Sequence, residues 1–369
     1  MNSTTLVKRC KAMAIGSSSA AHSEPENISV ENWGVLHGNK VKLYTLENEG
    51  GLKMRVSNYG CIMTELHVPD RNGETADILL GYDTLERYIA GRSYFGAVVG
   101  RFANRINQGR FDLDGRTYRL SLNDPPNHLH GGVNGFDRQV WNATPMSTPE
   151  GPAIRFHRLS PDGEEGYPGN LDVAVVYTLT HANEVKTEMV ATTDAPTIVN
   201  LAQHNYWNLA GHDSGAITGH VFHINASYYT PASETLIPTG KFAPVEGTPF
   251  DFTEPIAAGA RIEKIGGYDH NFVLAGEGDE LRLAARVSEP NTGRVMTLRT
   301  NQPGVQFYSG NFLDGGDIGK GGVIYGRHNG FCLETQRFPD SVNQPDWPSV
   351  VLRPEDAYCH LMVAAFTTE

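Results

Sequence analysis

The sequence predicts an all-β, predominantly antiparallel fold, a large sandwich or barrel with few short helices. Three observations predict it. The 369 residues include 40 glycines and 21 prolines, enough turn formers to punctuate many short strands. Apolar residues alternate with polar ones along most runs, the period of a strand with one face buried. Helical periodicity is weak and confined to one short stretch, DTLERYIAG, at residues 83 to 91.

Order is expected from near Trp33 onward. VKLYTLENEGGLKMRVSNYG reads as two strands joined by the glycine-bearing turn Asn48–Gly51, and CIMTELHVPDRNG as a third that ends in a Pro-Asp-Arg-Asn-Gly turn. GRFDLDGRTYRL is a hairpin, with Phe111 and Leu113 alternating against Tyr118 and Leu120 around Asp114–Gly115. LDVAVVYTLTHANEVKTEMVATT pairs two strands across His181–Glu184, and ELRLAARVSEPNTGRVMTLRT repeats the plan across Glu289–Gly293. No linker or repeat interrupts the pattern. One domain over residues 33–369 follows from this, after a flexible extension over residues 1–32.

Composition narrows the partners. Asp and Glu outnumber Lys and Arg by 42 to 30, and a net charge of −12 repels phosphate backbones. Nucleic acid is therefore excluded as a partner. No run approaches 18 apolar residues, so no membrane helix is expected. Four cysteines, none in a CxxC pair, suit a reducing compartment and offer no zinc knuckle. The first residues, MNSTTLVKRCKAMAIGSSSAAHSEPEN, lack the sustained apolar core of a secretory signal. A cytoplasmic location is the expectation, with export by an atypical signal the lesser alternative.

Residues able to do chemistry gather in six stretches: Asn104 and Arg105 in GRFANRI, His128 and His130 in PPNHLHGG, His204 in LAQHNYWNLAG, Asp269 and His270 in GGYDHNFVL, Gln306 and Tyr308 in QPGVQFYSGNFLDG, and Glu334 in FCLETQRFPDS. A carboxylate that follows Phe331, Cys332 and Leu333 is expected to be partly buried, which calls for a base role or an ion pair. From spacing alone a structural role competes with a catalytic one at every position. His128, His130, His204 and Glu334 also suggest a metal-binding β-barrel, although no compact ligand set completes it.

Taken in order, GRFANRI, PNHLHGG with GFDRQVW, DGEEGYPG, QHNYWNLAG, TPFDF, YDHNFVL, QPGVQFYSGNFLDG and LETQRFPDS resemble the aldose 1-epimerase (galactose mutarotase) family. The resemblance runs from about residue 34 to the C-terminus. It implies a large antiparallel β-sandwich with a sugar bound in a cleft on its concave face. It implies His204 as general acid and Glu334 as general base. Asn104, Arg105, His130, Asp269 and Gln306 fall on sugar-binding positions, and His128 on a position with no implied role. No cofactor and no metal is implied, and the partner is a small-molecule sugar, served by a monomer or homodimer.

Exchange of α and β anomers requires a proton to leave the C1 hydroxyl and another to reach the ring oxygen. A carboxylate suits the first task because, ionised, it only accepts. A histidine suits the second because its ordinary pKa lies near neutrality. The two are expected to stand apart and bracket the pyranose ring. A hexose-phosphate epimerase on the same scaffold would want further arginines beside Arg105, of which Arg101 is the sequence neighbour. A carbohydrate-binding module would need neither an acid nor a base.

Overall fold

The computed structural model describes residues 27–276 and 278–369. Three antiparallel sheets dominate. Five strands, Ile28–Leu36, Asn39–Glu47, Lys53–Ser57, Met63–Pro69 and Thr75–Asp77, form a meander in chain order. A nine-stranded sheet places Asn142–Thr148, Gly151–Ser160, Leu171–Leu179 and Glu184–Thr193 side by side, then inserts the C-terminal strand Tyr358–Thr368 before Arg294–Thr300 and Arg282–Ser288. The third sheet runs from Ala243–Pro244 and Tyr228–Thr230 through Asp269–Val273 and Gly304–Tyr308 to Cys332–Gln336.

One buried cluster joins all three sheets: Tyr44 and Leu46 from the first, Val173, Val175 and Met296 from the second, Phe272, Val305 and Phe307 from the third. Alternating side chains of facing sheets interdigitate to make this core, as a β-sandwich requires. The expected sandwich is the observed architecture, and the α-helix Leu85–Ala90 is the only one among the described residues.

The hairpins follow the local chemistry that predicts them. Asp114 and Gly115 both hold positive φ, 49° and 79°, so the two-residue turn carries the twist that Arg110–Leu113 and Arg116–Arg119 need in order to pair. Leu171–Leu179 pairs with Glu184–Thr193 in unbroken register from Leu171↔Thr193 to Leu179↔Val185. The first strand opens at Ile28, ahead of Trp33, where the sequence places the onset of order. Of the extension expected over residues 1–32, residues 1–26 lie outside the described residues. Among the described residues no helix is long and apolar enough to cross a membrane.

Arg101 is not a site residue. Its guanidinium is buried, donating to Ser160 Oγ at 2.8 Å and to the carbonyls of Ser160, Pro161, Pro168 and Gly169 at 2.7–3.0 Å. It pins the Ser160–Gly169 loop to the core. Arg101→Met should therefore strand several buried acceptors and cost about 3 kcal/mol or more of folding stability, read as a lower denaturant midpoint at unchanged slope.

Candidate active site

The stretch LAQHNYWNLAG raises a packing question, because four polar side chains and two large aromatics are hard to reconcile with either a core strand or an open loop. Ala202–His204 forms a short strand against Ala97–Val99, with His204 opposite Ala97 at its end. Trp207 and Leu209 enter the main core, and Tyr206 enters a second cluster with Phe95 and Tyr308. Gln203 accepts from Thr187 at 3.1 Å, and Asn208 donates to the carbonyls of Gly215 and Asn329. The aromatics hold the segment down and the amides satisfy neighbours, leaving His204 at the floor of a cavity.

That cavity encloses about 350 Å³, within the size range of small-ligand sites. Its wall includes Asn104, Arg105, His130, His204, Asp269 and Glu334, six of the seven residues to which the family resemblance gives a role. Glu334 arrives on Cys332–Gln336, paired with Gln306, which is itself paired with Asn271. Glu334 Oε1 lies 3.6 Å from His204 Nε2. The two functional groups stand side by side, which corrects the expected separation by the width of a ring.

Asn104, Arg105 and His130 are brought together by a two-residue ladder in which Leu129 pairs with Arg105 and His128 with Ile106. The ladder ends at His130, whose φ of 51° turns its ring away from the side taken by His128. His128 points into the protein, its Nδ1 donating to the Ser121 carbonyl at 2.8 Å and its Nε2 accepting from Tyr167 Oη at 2.6 Å. The two histidines thus part company despite their spacing, and His128 is structural. Gly131 makes this loop possible: a Cβ there would sit 1.8 Å from the Gly100 carbonyl oxygen. Arg105 donates from Nε to Asp124 Oδ2 at 2.7 Å, which sets its guanidinium against the cavity wall.

Gln306 departs from the sequence expectation. It is absent from the cavity wall and donates from Nε2 to Asp269 Oδ1 at 2.6 Å, so it orients Asp269 rather than facing the cavity itself. Sequence reasoning also missed wall residues. Tyr94 packs edge-on to His130, with centroids 4.8 Å apart, and tilts over His204 at 5.7 Å. Asp124 is there to hold Arg105. Phe312, 69% exposed, stands at the mouth beside Tyr308. The motif SGNFLDG contains Phe312, and an aromatic between glycine-rich turns is a signal that was available.

Burial dominates the electrostatics. Desolvation lifts the Glu334 carboxyl well above its ordinary 4.5, with the nearby Asp269 charge adding to the rise and Arg105 opposing it. Desolvation also lowers the His204 imidazole to about 4 and drives His130 well below 6.5. Asp269 is raised by the same cause. The Glu334 and His204 shifts both favour the uncharged form of each group. Glu334 Oε2 is buried with no hydrogen-bond partner, as a group held for an incoming ligand would be.

His130, His204 and Glu334 lie close enough for their ligand atoms to meet at one point. The donor set does not fit a metal. The Asn104 backbone N–H donates to His130 Nδ1 at 3.1 Å, so the neutral ring carries its proton on Nε2 and has no lone pair to offer the cavity. The same proton makes His130 a hydrogen-bond donor to a ligand oxygen.

Comparison with known proteins gives a consistent picture. Residues 42–364 match the family model described as aldose 1-epimerase. The chain is 48% identical to the galactose mutarotase of Homo sapiens over 325 residues, covering 88% of this chain and 93% of that one. It is 35% identical to the aldose 1-epimerase of Escherichia coli K12 over 340 residues, 90% of this chain and 97% of that one. Among solved structures, an aldose epimerase homologue from C. elegans superposes with a TM-score of 0.82 at 29% identity, covering 88% of this chain and 98% of that one. Galactose 1-epimerase from Lactobacillus acidophilus superposes with a TM-score of 0.81 at 27% identity, covering 92% and 98%.

Proposed function

Because the chain belongs to the aldose 1-epimerase family and is an epimerase of sugar anomers, we propose that Glu334 and His204 open and close the ring of free hexoses such as glucose and galactose. The observation that carries this reading is the 3.6 Å approach of the two groups on the floor of a sugar-sized cavity.

Ionised Glu334 takes the proton of the C1 hydroxyl while protonated His204 delivers one to the ring oxygen. The C1–ring oxygen bond breaks and an aldehyde forms at C1. Rotation about C1–C2 presents the other face, and the same two proton movements in reverse close the ring to the other anomer. The cyclic sugar meets an ion pair, and the open aldehyde meets neutral Glu334 and neutral His204. Both forms of the pair hold the same number of protons. Burial favours the neutral form, so the ionised carboxylate is a strong base and the imidazolium a strong acid at the moment each is needed. Hydrogen bonds from the bound sugar offset the penalty of ionising the pair.

Asn104, Arg105 and His130 hold oxygens near C1, and Asp269, oriented by Gln306, accepts from distal hydroxyls. Asp269→Asn should raise KM about tenfold with a smaller change in kcat, because a charge-assisted hydrogen bond is lost from bound sugar and transition state alike. Initial rates across a range of galactose concentrations measure this.

A free hexose fits better than a hexose phosphate. Of the two arginines at the first motif, Arg101 is buried among backbone carbonyls and only Arg105 reaches the cavity; exposed Arg92 is the second arginine on its wall, and no third lines it among the described residues. Glucose 6-phosphate should compete poorly with glucose in a polarimetric assay, and strong competition would favour the phosphate reading. A rate panel over glucose, galactose, xylose and arabinose ranks the sugars, while tight binding without any change of rotation would favour a binding module. The reading carries a cytoplasmic location and a monomer or homodimer as the working unit.

A further inference from the structure

Cys332 is a buried nucleophile for which anomer exchange supplies no role. It lies two residues before Glu334 on the strand Cys332–Gln336, so both side chains leave the strand on the same face. That face meets the His204 imidazole at both nitrogens. Glu334 Oε1 approaches Nε2 at 3.6 Å, and Cys332 Sγ approaches Nδ1 at 3.6 Å. One strand therefore addresses the two ends of one ring.

We propose that Cys332 is a positioning residue for His204, its thiol fixing the imidazole tautomer and remaining its partner through both protonation states. A thiol is a weak donor and a weak acceptor. Delivery of the Nε2 proton leaves the neutral ring protonated on Nδ1, and the sulfur accepts from that Nδ1–H both in this form and in the imidazolium, so the Nε2 lone pair stays free to retake the proton. A carboxylate in its place would only accept and would stabilise the imidazolium, weakening it as an acid. Burial supports the assignment by raising the Cys332 pKa well above the ordinary thiol value, with Glu334 and Asp269 adding to the rise, so the sulfur stays protonated and uncharged.

This inference rests on His204 being the acid, and its test separates the two ideas. In ligand-free protein labelled with 15N-histidine, the imidazole nitrogen shifts of His204 report the tautomer without any turnover. Wild type should show the Nδ1–H form, Cys332→Ala a mixture with Nε2–H, and Cys332→Ser the Nδ1–H form restored. In the polarimetric assay Cys332→Ala should lower kcat about tenfold, the worth of one buried hydrogen bond, with KM within about twofold and substantial recovery in Cys332→Ser. An Nδ1–H signature unchanged in folded Cys332→Ala, or kcat equal to wild type, would overturn the proposal. If the tautomer shifts while His204→Asn retains full turnover, the acid assignment fails and the hold of Cys332 on the ring stands.

Discussion

Glu334→Gln is expected to slow the anomerisation of fresh α-D-galactose by on the order of 100- to 10,000-fold, the span typical of a well-placed proton-transfer group. Gln keeps the shape of the side chain and removes its basicity, so the loss should fall on kcat, with the cavity intact. The same substitution should raise stability at neutral pH. Folding lifts the Glu334 pKa above its unfolded value near 4.5, so its contribution is fully present below that pH and is lost as pH rises toward the folded value. Gln has no such titration. The gap in melting temperature between variant and wild type should therefore open as pH rises above about 4.5. A variant that is inactive yet more stable at pH 7 separates a catalytic carboxyl from a structural one, because losing a structural ion pair would lower stability.

His204→Asn should lose activity over the same range, since no other group among the described residues stands 3.6 Å from Glu334 with a proton to give the ring oxygen. Its stability signature has the opposite pH sense. Folding lowers the His204 pKa from 6.5 to about 4, so its contribution is present above 6.5 and is lost as pH falls through 4. Acidification from pH 6.5 to pH 4 should accordingly destabilise wild type more than His204→Asn. Thermal melts at half-unit pH steps measure both effects.

Much of the scaffold was legible because its determinants are local. Alternating apolar residues around Asp114–Gly115, His181–Glu184 and Glu289–Gly293 encode hairpins whose partners lie a few residues away, and each formed where the pattern places it. The first strand opens ahead of the expected onset because Ile28–Leu36 is largely exposed, Val30 and Val35 included, an edge strand recognisable only through its pairing with Asn39–Glu47. The family motifs identified the residues of the site, and the chain's pairing decided what they face. His128 and His130 share a motif and diverge through one left-handed residue. Gln306 sits opposite Glu334 in register yet gives its amide to Asp269, a choice that no period in the sequence encodes. Tyr94 reaches the two histidines from a segment whose place depends on long-range packing. The closeness of His204 and Glu334, 130 positions apart in the chain, was equally hidden, and it replaced a picture of two groups flanking a ring.

The central claim is that this imidazole and this carboxyl act as one unit on a single carbon centre. The most direct measurement is the polarimetric rate of Glu334→Gln, His204→Asn and the double variant on fresh α-D-glucose, with circular dichroism to establish folding. Groups that work only together predict a double variant no slower than the slower single variant, because either change alone already breaks the proton exchange. Losses that multiply in the double variant, or near-wild-type rates in either folded single variant, would contradict it.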